Sequence, residues 1–293
     1  MAAQRQSALL DQEFLHKLER LTLHWQKSFS GLVGGRIPSR FSGLGQEFLD
    51  HRHFHHGDDL RAVNWRAYMR LEKLFLKMFQ VEPRIPVRLL LDCSASMEGK
   101  FDYARKLAGA LCYIGLVRLD TICLQPFRDK LDEHVMCSGG RHRFLPVSTF
   151  LSELKPGGRT NYVNVARSFA SAWPQRGLVI VISDFLDDNE VERPLQFLAD
   201  YGHEISLVQI WHPEDREPSF DGELDVVDAE TGAHLELAVD ASARQQYTEA
   251  FDDYSRRLQN VANRSGGRYV GIPTTASIEE AIFDSLMRVG GIQ

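Results

Sequence analysis

A buried apolar run that ends abruptly in regularly spaced oxygen-bearing side chains constrains this chain most. Residues 87–91 are almost wholly aliphatic and follow Pro86, a pattern typical of a strand that is covered on both faces. Asp92, Ser94 and Ser96 come next at every second residue, so their oxygens can converge on one side of an extended loop. A strand of this kind requires helices on both sides of its sheet.

These three polar residues have two interpretations. One carboxylate with two hydroxyls is a hard-oxygen set, which suits Mg²⁺ or Mn²⁺ better than zinc. Asp and Ser are also the commonest residues that cap the N-terminus of a helix. The stretch by itself does not decide between a metal-binding loop and a helix cap.

A second apolar run has the same kind of ending. Residues 178–182 are uninterrupted in their apolar character, and Ser183 and Asp184 follow them. Between the two runs, Thr160 follows a glycine-rich turn and precedes a predicted helix. Ligands of open parallel sheets bind beyond the carboxyl ends of the strands, so we expect Asp92 and Asp184 to lie at one edge.

The remaining pattern alternates helices with strands. Further strands are predicted at residues 121–127, 131–136, 205–210 and 269–272, and helices near residues 101–118, 147–154, 195–199, 242–263 and 277–287. Residues 224–227 and 234–237 alternate around a turn, which indicates a hairpin inserted at one edge, at about residues 220–240. We therefore predict an α/β fold, with three layers around a mostly parallel, doubly wound sheet.

The chain divides near two prolines, Pro83 and Pro86. We expect residues 84–293 to form the principal domain and residues 1–83 a smaller α+β accessory region. Within that region, residues 8–27 predict an amphipathic helix.

Two segments of the accessory region could suggest ligand sites. Residues 30–46 combine glycines with Arg36 and Arg40, but a Walker A sequence is absent, so we do not predict a nucleotide site there. A histidine trio could share one strand face, at His51, His53 and His55. We interpret the trio as a polar strand face, because no carboxylate or cysteine ligand accompanies it at a fixed offset.

Composition narrows the classes of function. Basic residues number 34 and acidic residues 40, a net charge of −6, so nucleic-acid binding through the arginines of the accessory region is not favoured. No apolar run approaches the roughly 20 residues that span a bilayer, and no signal peptide is evident, so we expect a cytoplasmic protein. The four cysteines form no Cys-x-x-Cys pair, and we expect reduced, packed thiols.

The polar residues resemble a known metal site. Their spacing is similar to the metal-ion-dependent adhesion site of von Willebrand factor A domains, with all five ligand positions filled: Asp92, Ser94, Ser96, Thr160 and Asp184. The continuation is similar too, as Ser96-Met97-x-Gly99-Lys100 and a helix carrying Ala104 and Ala108. The resemblance implies a von Willebrand factor A or Rossmann-like domain.

The chain also resembles domain of unknown function family 58 over roughly residues 30–290. The motifs that carry this resemblance are Ser42-Gly43-x-Gly45-x-Glu47-Phe48, Gly57-Asp58-Asp59-x-Arg61-x-x-Asn64-Trp65, Lys77-x-Phe79-x-x-Glu82 and, in the hairpin, Asp228-x-Glu230-Thr231-Gly232. The resemblance implies a partner of a separate MoxR-type AAA+ ATPase that assists the maturation or assembly of a client protein.

The resemblance further implies how the site works. Hydroxyls of Ser94, Ser96 and Thr160 would hold a divalent cation, with Mg²⁺ favoured over Mn²⁺ or Ca²⁺, while Asp92 and Asp184 act through ordered water. An acidic residue of a partner protein would complete the metal shell. The expected function is thus a non-enzymatic interaction module. The alternative is a metal-dependent hydrolase or phosphatase that uses Asp92 and Asp184, although Ser94 stands where such a phosphatase carries its second acid.

Overall fold

The computed structural model describes residues 9–21, 47–55, 60, 63–80, 86–118, 120–187 and 191–292. The chain divides into two compact units, one of residues 1–28 with 85–293 and the other of residues 29–84. This division differs from the one we expected, in which residues 1–83 formed the accessory region, because residues 1–28 group with the principal domain. The reason is hydrophobic: helix α1 (Gln12–Leu18) buries Phe14 and Leu18 in the core of that domain.

The described residues of the smaller unit contain one antiparallel strand pair. Strand β1 (Glu47–His53) pairs with β2 (Phe75–Gln80), and helix α2 (Trp65–Leu71) lies between them in the chain. Asn64 caps α2, because its side-chain oxygen accepts a hydrogen bond from the Ala67 N–H at 3.3 Å. His51 and His53 are exposed on β1, as the interpretation of a polar strand face predicted.

The larger unit contains the remaining elements. In chain order after α1 they are β3 (Pro86–Asp92), α3 (Phe101–Val117), β4 (Thr121–Phe127), β5 (Val135–Cys137), α4 (Phe144–Glu153), α5 (Tyr162–Ala172), β6 (Leu178–Ser183), α6 (Glu192–Asp200), β7 (Glu204–Trp211), α7 (Pro213–Arg216), β8 (Gly222–Val227), β9 (His234–Val239), α8 (Ala241–Ser265), β10 (Tyr269–Pro273) and α9 (Ile278–Glu280). A π-helical segment, Ala281–Leu286, continues α9.

Six strands form the central sheet, in the order β10-β7-β6-β3-β4-β5. Only its edge strand β5 runs antiparallel to its neighbour; the other pairings are parallel. From β3 the chain first adds β4 and β5 on one side and then returns to place β6 on the other. Strand order therefore reverses between β3 and β6, where ligands of such sheets bind. The predicted mostly parallel α/β fold is confirmed.

Two apolar clusters cover the two faces of the sheet. Leu89 and Leu91 of β3 belong to the cluster that includes residues of α1, α3 and α4, while Leu90 belongs to the cluster with α5, α6 and α8. The alternation follows from the period of two along a strand. Because both faces are covered, the strand is apolar up to Asp92 except for the buried Arg88.

The predicted hairpin is present, and it forms a two-stranded sheet of its own. Strands β8 and β9 pair antiparallel around a turn, and they add no strand to the central sheet. Most of its side chains are exposed, including Val227 and Leu235. The hairpin therefore reaches the rest of the unit mainly through its turn and its ends.

All four cysteines are free and buried, at Cys93, Cys112, Cys123 and Cys137, as expected from their spacing. In the described part of the chain, no helix combines the length and the apolar character needed to cross a lipid bilayer.

Candidate metal centre

The ends of β3 and β6 are joined by side chains. Asp92 is the last residue of β3, Ser183 is the last residue of β6, and both side chains are buried. The Ser183 hydroxyl donates to Asp92 Oδ2 at 2.6 Å. Asp184 follows directly and is 2% exposed. The two carboxylates predicted from separate apolar runs thus lie at the same edge of the sheet.

Asp92 is held in one orientation by three donors. Its Oδ1 accepts the Ser94 N–H at 2.9 Å, and its Oδ2 accepts the Tyr162 hydroxyl at 3.4 Å in addition to Ser183. Burial, and then the negative charge of Asp184, raise the pKa of Asp92 to about 7. A cation beside this carboxylate would relieve the unfavourable burial of its charge.

Ser94 and Ser96 face each other, with their hydroxyl oxygens 3.0 Å apart. Ser94 is fully buried and Ser96 is half-buried. Ser94 immediately precedes a short 3₁₀ helix, Ala95–Lys100, yet its side chain makes no capping hydrogen bond to that helix. The helix-cap interpretation of these residues is therefore wrong for Ser94: its hydroxyl contacts the neighbouring hydroxyl instead.

The loop that carries Thr160 is tied to the loop after β3. The Gly157 N–H donates to the Cys93 carbonyl at 2.8 Å, and the Ala95 N–H donates to the Gly158 carbonyl at 2.9 Å. Gly158 has a φ of 86°, in the left-handed region that glycine adopts without strain. The glycine-rich turn thus lies against the Ser94 loop, and Thr160, two residues further on, is buried.

Arg128 braces the same turn from the end of β4. Its Nε donates to the Gly157 carbonyl at 2.7 Å, and its Nη2 donates to the Lys155 carbonyl at 2.6 Å. Because a guanidinium offers several donors in a fixed plane, it can hold two carbonyls of one loop at once.

Thr160 is also bound by the hairpin. The Thr160 N–H donates to Glu230 Oε2 at 2.9 Å, and the Thr160 hydroxyl donates to Glu230 Oε1 at 3.1 Å. Glu230 is in the turn between β8 and β9 and is half-buried.

Asp184 has a cationic neighbour of its own. The Lys100 ammonium lies 2.7 Å from Asp184 Oδ2 and 3.1 Å from Asp215 Oδ2. Burial lowers the pKa of Lys100, but the charges and hydrogen bonds of the two carboxylates outweigh burial and raise it above its ordinary value. Asp184 Oδ1 accepts the Leu186 N–H at 3.1 Å, whereas the buried Oδ2 is held by the Lys100 ammonium.

The residue after Asp184 stores strain. Phe185 has a φ of 58°, which is unusual for a bulky side chain and costs on the order of 1–3 kcal/mol. Its N–H donates to Ser183 Oγ at 2.8 Å, and its carbonyl accepts the Tyr254 hydroxyl at 2.6 Å. These bonds hold the sharp turn that directs Asp184 toward Lys100.

The donor set fits a hard divalent cation. The five predicted residues supply carboxylate and hydroxyl oxygens at one end of the sheet, the ligand type that such an ion prefers. The Lys100 ammonium contacts two carboxylates, those of Asp184 and Asp215, so one ammonium charge faces two carboxylate side chains, which favours a further cation. No cluster of three or more His, Cys, Asp and Glu suited to a metal occurs among the described residues.

Four residues of this centre were not identified as site residues from the sequence. Lys100 and Glu230 stood in the motifs that resemble known families, so a signal for both was present. For Ser183, the sequence offered only its position at the end of an apolar run. For Tyr162, the sequence offered no sign of a role in the site.

Several family-like motifs fall outside the described residues. These are the glycine- and arginine-rich residues 30–46, with Arg36 and Arg40, and the residues Gly57, Asp58, Asp59, Arg61 and Glu82; the side chains of Glu47, Phe48, Lys77 and Phe79 are likewise not described.

Comparison with known proteins gives a family and a set of distant relatives. The family described as Protein of unknown function DUF58 matches residues 50–257, a span that includes the candidate metal centre and Glu230. An uncharacterised protein of Mycobacterium bovis is 23% identical over 249 residues, which cover 82% of this chain and 78% of that protein.

Solved structures with low sequence identity are also similar. The hypothetical protein BatB of Bacteroides thetaiotaomicron has a TM-score of 0.42 and 16% identity, covering 70% of this chain and 98% of that one. The VWA domain of SpRpn10 has a TM-score of 0.36 and 12% identity, covering 69% of this chain and 94% of that one.

Proposed function

The chain belongs to the DUF58 family, and on that premise we propose that it is a non-enzymatic protein-interaction module that binds a partner through a divalent metal ion. Ser94, Ser96 and Thr160 would hold the ion by their hydroxyls, with Asp92 and Asp184 in support. The favoured ion is Mg²⁺, because it retains water and prefers oxygen ligands. Bound there, the ion would supply an electrophilic position for a carboxylate of another protein.

One observation carries the proposal: the buried hydroxyl of Ser94 lies 3.0 Å from that of Ser96 and beside the buried carboxylate of Asp92, at the point where strand order reverses. A carboxylate with two hydroxyls is the kind of oxygen donor set that a hard divalent cation prefers. Burial and the charge of Asp184 raise the pKa of Asp92, so a cation beside this carboxylate would stabilise its charged form.

The proposed partners are a separate MoxR-type AAA+ ATPase and a client protein, each presenting an acidic residue to the metal. The test is binding of a MoxR-type ATPase from the same genome to the immobilised chain, with Mg²⁺ and then with EDTA. Since EDTA also removes Mg²⁺ from the ATPase, the decisive arm is the double variant Asp92→Ala/Ser94→Ala. We expect this variant to lose binding in Mg²⁺. Wild-type affinity in the variant would refute the proposal.

The alternative of a phosphatase or hydrolase is less consistent with the geometry of Asp92. Both of its oxygens already accept hydrogen bonds, from the Ser94 N–H and from Ser183 and Tyr162. A nucleophilic carboxylate needs an oxygen that can reach the substrate. Metal-dependent turnover of a phosphate or ester panel that disappears in Asp92→Ala would support the enzyme instead.

A further inference from the structure

The turn of the hairpin is built to present one carboxylate. Asp228 Oδ1 accepts the Glu230 N–H at 2.9 Å and the Thr231 hydroxyl at 2.8 Å. Hydrogen bonds from the backbone and side chain of Thr231 lower the pKa of Asp228, so it stays ionised and keeps the turn closed. Arg159 Nε donates to the Glu230 carbonyl at 3.1 Å and fixes the turn against the loop of Thr160.

The carboxylate so presented contacts a predicted metal ligand with both oxygens. Thr160 donates to Glu230 from its N–H and from its hydroxyl. A hydroxyl that donates its proton keeps its oxygen lone pairs available for a cation. Glu230 therefore stands beside a ligand of the candidate centre without blocking the oxygen that would bind metal.

The Glu230 carboxylate forms no ion pair with any of the basic side chains that the structure describes. Arg159, the nearest by its contacts, binds the backbone carbonyl of Glu230. A half-buried carboxylate that contacts a predicted metal ligand is stabilised by a cation bound at that ligand.

We infer that Glu230 is the chain's own carboxylate for the metal centre, occupying in the free protein the position that a partner's acidic residue takes on binding. This inference rests on the proposed function and deepens it. A partner carboxylate must then displace the turn between β8 and β9. The exposed hairpin strands leave that movement little packing to break.

The test compares wild type with Glu230→Gln, which keeps the shape of the side chain and removes its charge. Glu223→Gln is the matched control, because Glu223 is exposed on β8 of the same hairpin. Mn²⁺ affinity is measured by electron paramagnetic resonance of free Mn²⁺, and amide exchange at Thr160 by NMR. Circular dichroism verifies that each variant is folded.

We expect Glu230→Gln to bind Mn²⁺ about tenfold to a hundredfold more weakly than wild type, the usual effect of losing a carboxylate that supports a metal site. Thr160 amide exchange should become faster in this variant, because its acceptor loses charge. Glu223→Gln should match wild type in both measurements.

Two failures are distinguishable. If wild type and Glu230→Gln bind Mn²⁺ equally and Asp92→Ala does not bind, the metal function stands and the inference about Glu230 is wrong. If wild type binds no more Mn²⁺ than Asp92→Ala does, the proposed function itself is wrong, and the inference falls with it.

Discussion

Lys100 and Asp184 form an ion pair inside the protein: the ammonium lies 2.7 Å from Asp184 Oδ2, and the two side chains are 7% and 2% exposed. Lys100 comes from the segment after β3, and Asp184 from the end of β6. The pair therefore joins the segments at the ends of β3 and β6, which carry four of the five predicted metal ligands. It also partly neutralises the site before any metal binds.

Lys100→Met should destabilise the protein by about 3–5 kcal/mol, because it leaves the charge of Asp184 buried without its partner. Urea unfolding in EDTA measures this difference. Lys106→Met is the control, since Lys106 is exposed on α3. Added Mg²⁺ should stabilise Lys100→Met at least as much as wild type, because the ion can neutralise Asp184. Equal unfolding midpoints for the two Met variants would contradict the importance of this pair.

Gly177→Ala should disturb the pairing that brings Asp92 and Asp184 together. A Cβ at this position would lie 2.4 Å from the Pro86 carbonyl oxygen, at the start of β3. A backbone atom cannot move aside at low energetic cost. We therefore expect the free energy of unfolding to fall by about 1–3 kcal/mol, the usual range for overpacking. Thermal unfolding provides the measurement.

The control for this prediction is Gly99→Ala. A Cβ at this position would have no atom within 4 Å, so the substitution should change the free energy of unfolding by no more than about 0.5 kcal/mol. Gly99 belongs to the family-like motif, so the sequence alone would rank it as the more constrained of the two glycines. If Gly99→Ala lost more stability than Gly177→Ala, this structural explanation would be contradicted.

The cysteines should resist alkylation in the folded protein. Burial raises the pKa of the Cys123 thiol to about 11, so little thiolate exists at mildly alkaline pH. Intact mass after iodoacetamide treatment should be unchanged under native conditions, whereas all four thiols should react in denaturant. Fast labelling of a native thiol, or fewer than four adducts after unfolding without reductant, would contradict this expectation.

The regular elements of the larger unit were predictable because their patterns are strong. The apolar run at residues 121–127 became β4 (Thr121–Phe127), and the small-residue stripe after Lys100 became α3 with nearly the predicted ends. The closing helix was less regular than predicted, since Ala281–Leu286 is π-helical. A π-helical segment of six residues is too short to leave a period of its own in the sequence, so the pattern could not reveal it.

The sequence indicated that the ends of the two apolar strands meet, but it did not indicate the contacts of the candidate site. Strand ends and alternate spacing located Asp92, Ser94 and Asp184, because parallel strands share one carboxyl edge. The contact between Thr160 and Glu230 joins loops that are 70 positions apart, and its existence depends on how the hairpin folds back. No local pattern encodes that placement.

The central claim is that this edge of the sheet binds a divalent ion, and thermal unfolding with millimolar Mg²⁺ against EDTA tests it most directly. A ligand at a hundred times its dissociation constant stabilises the folded state by about 2.7 kcal/mol. At roughly 2–4 °C per kcal/mol, the wild-type midpoint should rise by about 5 °C or more. Asp92→Ala/Ser94→Ala should show no rise. An unchanged wild-type midpoint, or an equal rise in the double variant, would contradict the account.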